Sequence, residues 1–196
     1  MRKVKKFKLT SEFIVDISGV KLFRIKALIE FGNVKAGDLG GYIEKEENLS
    51  HMGNAWVSGD AQVSGNARVF GNARVFGDAQ VFGDAWVSGN ARVSGDARVF
   101  GNAWVSGNAW VFGDAWIYGD ARVSGDKDYA YAHGFGSCNR TTTFFRLKDG
   151  DVGVRCGCFY GTLAQFRDKV CETHGETKKA QEYLMLADLM EIRFKN

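Results

Sequence analysis

Twelve hexapeptides run without interruption over residues 53–124, each reading Gly-(Asn/Asp)-Ala-x-Val-(Ser/Phe), with only Ile117 and Tyr118 departing. A fixed short period of this kind specifies a repeat architecture. Ala and Val lie two apart, so on a short strand they share one side while x points to the other. Gly adopts positive φ freely, and Asn or Asp tolerates it beside a bend. Proline is absent from all 196 residues, which leaves every backbone N–H available for ladder bonds. Six residues cannot bury their own apolar side, so the units must stack to be stable.

Phased as Val57-Ser58-Gly59-Asp60-Ala61-Gln62, the unit resembles that of hexapeptide-repeat acyltransferases. The resemblance implies a mainly β chain: a left-handed parallel β-helix, or triangular solenoid, with three hexapeptides per coil. The hand is implied by resemblance alone, because left-handed crossovers run against the general rule. Twelve units then make four coils, and the imperfect Gly41-Tyr42-Ile43 and Glu47-Asn48-Leu49 suggest part of a fifth.

The lead-in Phe23-Arg24-Ile25-Lys26-Ala27-Leu28, Val34 to Gly41 and Asn48-Leu49-Ser50 are similar to YdcK-like proteins, a family assigned to acyl transfer without an established reaction. The tail, with Thr141-Thr142-Thr143-Phe144-Phe145, Cys156-Gly157-Cys158-Phe159 and Thr173-His174-Gly175, is similar to uncharacterised repeat proteins of gut bacteria and their prophages. That implies a phage setting and no chemistry.

On an 18-residue coil, residues n and n+18 stack, and the outward positions form three columns. Face A is Trp56, Arg74, Arg92 and Trp110; face B is Gln62, Gln80, Arg98 and Trp116; face C is Arg68, Trp86, Trp104 and Arg122. Five outward tryptophans mark a contact surface, since Trp and Arg dominate interface hot spots. Faces A and C hold Trp against Arg at every level, so face A of one copy can dock on face C of the next. The expected partner is therefore another copy (trimer or dimer) or another protein. Nucleic acid is a weaker candidate, because one corner stacks Asp60, Asp78, Asp96 and Asp114. That column lacks the signature of calcium-binding solenoids.

Residues 1–36 hold nine Lys/Arg against three acids. This suits a lysine-protected edge strand as well as an acidic partner. The basic start has no apolar core behind it, and no apolar run is long enough for a membrane span. With four cysteines and no secretory signal, reduced thiols and a cytoplasmic location are expected.

Acyl transfer needs a base, usually His, yet none occurs between residues 52 and 132. His51 is the nearest catalytic candidate, and no cofactor is implied. Residues 1–36 read as an N-terminal β cap, 37–125 as the β-helix and 126–196 as a C-terminal α+β cap. In the latter, Lys148-Asp149-Gly150-Asp151 reads as a hairpin turn between strands over 141–147 and 152–159. Thr162-Leu163-Ala164-Gln165 is a capping box that opens a helix ending near Gly175, and a second helix spans about 176–190. Cys156 and Cys158 on one strand face, with Cys138, Cys171 or His174, are candidate zinc ligands. The Gly-rich run from His133 to Ser137, with Arg140 and Thr141, is either a flexible joint or an anion cradle.

Overall fold

A computed structural model describes residues 4–136 and 140–195. Strand β1 (Phe7–Val15) pairs antiparallel with β2 (Lys21–Ala27), which pairs with β3 (Leu39–Ile43). Twelve two-residue strands follow, β4 (Trp56–Val57) to β15 (Arg122–Val123), one per hexapeptide. Trp56 pairs with Arg74, Gln62 with Gln80 and Arg68 with Trp86, all parallel, so the coil is 18 residues long. The three columns of outward residues are thus real ladders. The imperfect lead-in units join them: Tyr42 pairs with Gln62, and Leu49 bridges to Val69.

Every Ala and Val (or Ile117) of the repeat is at most 1 % exposed, forming one continuous apolar axis. Each repeat glycine has φ between 59° and 73°. A Cβ on Gly89 would lie 2.9 Å from the amide nitrogen of Gly107 in the next coil. The close stacking of corners therefore requires glycine twice over, for its φ and for its missing side chain. Gly89→Ala is expected to lower stability by about 1–3 kcal/mol in urea unfolding. Asn side chains bridge successive coils at one corner, from Asn54 to Asn72 (3.2 Å), Asn72 to Asn90 (3.1 Å) and Asn90 to Asn108 (3.0 Å).

The ladder has a polarity that dictates the chemistry of its ends. Outward residues donate N–H to the coil that follows, as Trp56 does to Ala73 O (3.0 Å) and Arg68 to Ala85 O (2.9 Å). The first coil therefore presents unmatched carbonyls and the last unmatched N–H groups, and each end needs partners of the opposite kind. At the first end β3 supplies amides on face B, Tyr42 N–H reaching Ala61 O (2.9 Å). The Asn48 amide donates to Gly65 O (3.1 Å) and Ala67 O (2.9 Å) under face C. The Lys6 ammonium donates to Ala55 O (2.7 Å) and Gly53 O (3.4 Å) under face A. At the last end the acceptors are Asp126, for Trp110 N–H (2.8 Å), Thr143 Oγ1, for Trp116 N–H (3.1 Å), and Asp128. Asp128 Oδ2 takes the N–H of Ser124 (2.9 Å) and of Gly125 (3.1 Å) and the Ser124 hydroxyl (2.6 Å).

The C-terminal unit is a four-stranded antiparallel sheet, β16 (Tyr129–Phe135), β17 (Arg140–Arg146), β18 (Val152–Cys156) and β19 (Phe159–Thr162), in chain order. Helices α1 (Leu163–His174) and α2 (Lys178–Phe194) cover one side of it, around Phe144, Val154, Phe166 and Tyr183. The Thr162–Gln165 capping box is present, with Thr162 N–H on Gln165 Oε1 (2.9 Å). Two expectations change. His133, Gly134 and Phe135 form the end of β16, which shifts register after Ala132 and pairs again with β17 at Phe135 and Arg140. The helix expected to stop near Met190 continues to Phe194, which is buried under the sheet. Among the described residues, no helix is long and apolar enough to cross a membrane.

Candidate functional site

On face C the column residues stack on one another. The Trp86 and Trp104 indoles are parallel, 1° apart in plane and 5.0 Å between centroids. Phe70 meets Trp86 edge-on at 5.7 Å, and the Arg122 guanidinium lies 4.6 Å over Trp104. The column is thus a single strip whose ring faces are covered by neighbours above and below and whose edges meet solvent. Trp104 remains 43 % exposed. Below it a hollow of about 810 Å³ opens toward the N-terminal end, lined by Ile29, Met52, Phe70, Trp86 and Arg68, with Glu46 and Glu47 at its edge.

Face A differs from expectation. Trp56 is buried, with Phe31 edge-on to its ring at 5.4 Å, and the Lys6 ammonium lies 4.6 Å over Phe31. The N-terminal segment covers that column's first level, so Trp56 cannot meet a partner there. Higher up, Arg92 lies over Trp110 (5.8 Å), and on face B Arg98 lies over Trp116 (5.0 Å). Two of the tryptophans assigned to a face A–face C contact, Trp110 and Trp104, thus meet an arginine of their own column one coil away. Arg74 sits beside Trp56 in the same ladder, close to Gly32.

His51 lines the hollow; its Nδ1 is engaged, while its Nε2 is buried without a hydrogen-bond partner. Its ring stacks on Phe7 (4.3 Å), and Nδ1 accepts the Lys6 N–H (3.2 Å). An accepting Nδ1 places the proton of the neutral ring on Nε2, which faces Glu46 Oε2 at 3.6 Å. Neither position offers a free lone pair to a substrate.

A family model for the YdcK β-solenoid repeat matches residues 61–77, 67–83, 79–98 and 91–107. The chain carries a β-solenoid repeat of the YdcK type. No curated protein matches it. The matched segments of the YdcK-type solenoid lie inside the twelve hexapeptides, so the chemistry of the two ends must be read from their own residues.

Among the described residues, the candidate zinc ligands do not come together. Cys156 ends β18, and Gly157-Cys158 is a two-residue turn with Gly157 at φ 58°, so the alternation that would align the thiols is broken. Cys156 Sγ meets Thr142 Oγ1 (3.2 Å) and the Tyr183 hydroxyl (3.8 Å), whereas Cys158 and Cys171 are exposed. His174 packs against Tyr183 (5.8 Å). Cys138 lies outside the described residues. Among those described, no three or more His, Cys, Asp or Glu side chains cluster as a metal site.

Of the anion candidates, Ser137 lies outside the described residues, while Arg140 and Thr141 come together in a hollow with His133, Arg155 and Trp116. Arg155 was not singled out from the sequence. Nor were the residues that seat the C-terminal unit: Phe82 stacks on Phe100 (4.7 Å), Phe100 packs at a tilt on Tyr118 (4.5 Å), and Tyr118 meets Tyr160 edge-on (4.7 Å). Phe82, Phe100 and Tyr118 occupy the sixth letter of their units, and the 18-residue spacing could have revealed that column.

Proposed function

We propose that this YdcK-type solenoid is a non-catalytic assembly module whose face C is a protein contact surface, occupied by a second copy of the chain. The reading is carried by the strip of Phe70, Trp86, Trp104 and Arg122, a rigid apolar row left open where the other faces are partly covered. An apolar strip with polar ends suits self-complementary two-fold docking. Antiparallel apposition would put the two Trp pairs at the centre. It would bring Arg122 of each copy beside Arg68 at the other's hollow, where the exposed Glu47 offsets the two like charges. Wild-type protein is expected to scatter light as a dimer at tens of micromolar, and Trp104→Glu as a monomer. A monomeric wild type, or an unchanged mass in the variant, would sink the proposal.

Two other readings have less support. Acyl transfer would need His51 to give up its bond from Lys6, and clear affinity for acetyl-CoA would restore it. Base stacking on the Trp columns would need ring faces that Trp and Arg neighbours already cover.

A further inference from the structure

We propose that a second site, independent of face C, binds a small phosphate-bearing ligand between face B of the last coil and the C-terminal sheet.

Strand alternation and register build it. Tyr129 and Tyr131 of β16 lie on one face of the sheet, opposite Phe145 and Thr143 of β17, and Arg155 of β18 pairs with Thr143; past the register shift that follows Ala132, the His133 side chain meets that of Thr141. The first row, Tyr129 and Phe145, is buried in the solenoid core. In the second, Thr143 caps Trp116 N–H. The third row, His133 and Thr141, lies beyond these contacts and is more open: Tyr129 is 4 % exposed, Tyr131 is half-buried and His133 is exposed. The sheet therefore rests on the coil at one end and stands clear at the other. The space left is a hollow of about 460 Å³, lined by Asp114, Trp116, His133, Arg140, Thr141, Arg155 and Gly157.

The polar groups in that hollow suit a tetrahedral oxyanion. Two guanidinium groups line it, and among the described residues neither pairs with a carboxylate. Arg155 stacks over Trp116 (5.1 Å), its Nη1 donates to Cys158 O (3.3 Å), and its buried Nε has no hydrogen-bond partner. Arg140 lies over Gly157, where a Cβ would collide with its Nη1. The Thr141 hydroxyl, 2.9 Å from His133 Nδ1, adds a donor whose proton can turn either way. Asp114 is the one carboxylate in the lining, so the two arginines leave a positive balance. Guanidinium forks bind phosphate oxygens in paired hydrogen bonds. Trp116 is enclosed by Arg98 on one side and Arg155 on the other, so the site recognises the phosphate group rather than a stacked ring.

Calorimetric titration of the full chain tests this, with inorganic phosphate and with glycerol 3-phosphate at constant ionic strength. Saturable binding is expected, weakened at least tenfold in Arg140→Gln and in Thr141→Val and retained in Arg92→Gln on face A. Tighter binding of glycerol 3-phosphate would identify a monoester as the ligand, and equal binding free phosphate. Arg140 is exposed, so its variant should fold, and circular dichroism verifies this; Thr141→Val provides the second arm. The proposal is overturned if wild-type protein shows no saturable uptake of either compound, or if both variants bind as wild type does.

Discussion

Raising the pH from 8 to 10 is expected to make the protein more stable, and Lys6→Met is expected to abolish that rise. Lys6 is 1 % exposed, and burial pulls its ammonium from an ordinary 10.5 down to about 8. Between those values the unfolded chain holds a proton that the folded chain has released, so stability climbs with pH. The neutral amine still donates to Ala55 O and Gly53 O, so the carbonyls at the open end stay satisfied while the cost of a buried charge disappears. A rise of about 1–2 kcal/mol in urea unfolding is expected. It should turn over above pH 10, because burial pushes the Tyr129 phenol well above its ordinary value while unfolded tyrosines ionise. Lys6→Met leaves two carbonyls without a donor, so its curve should lie below wild type near pH 10, where that cost is unopposed. A flat or falling wild-type curve between pH 8 and 10 would contradict this account.

Asp128→Ala is expected to cost about 2–4 kcal/mol and to loosen the last coil before the rest. Its carboxylate accepts three hydrogen bonds, two from amides that have no further coil to pair with, and charged acceptors of this kind contribute more than neutral ones. Burial pushes this carboxyl up, but the bonds from Ser124 and Gly125 outweigh it and hold the group below its usual range. Its contribution is therefore complete above about pH 4, the unfolded value, and is lost as the pH falls through the lower folded value. Native-state hydrogen exchange should show early opening of the Ser124 and Gly125 amides in the variant. Exchange at those amides equal to wild type would show that the cap is held by other contacts.

Much of the fold was legible because the repeat repeats its own solution. Ala-x-Val declares which side is inward, and the 18-residue spacing sorts Trp86 with Trp104 and Arg68 with Arg122 before any coordinates are known. The same arithmetic could have found Phe82, Phe100 and Tyr118, had the sixth letter been followed as closely as the fourth. Trp56 misled for the opposite reason. Its unit is indistinguishable from those of Trp86 or Trp104, and only Phe31, 25 positions earlier, decides that it is buried. Cys156 and Cys158 misled locally: a strand alternation was assumed to run through a glycine that instead turns the chain.

Periodicity therefore determined the inward and outward residues, the glycine corners and the need to cover both ends, whereas three units per coil came from the resemblance and was established by the ladder pairing. It could do so because each coil meets the same neighbours, so one hexapeptide's local physics holds for all. The caps obey no period. Which lysine reaches the open carbonyls, which aspartate takes the open amides, and which arginines overhang face B depend on contacts between distant segments. Those contacts exist only once the backbone has brought their partners together, and so only the tertiary structure decided them.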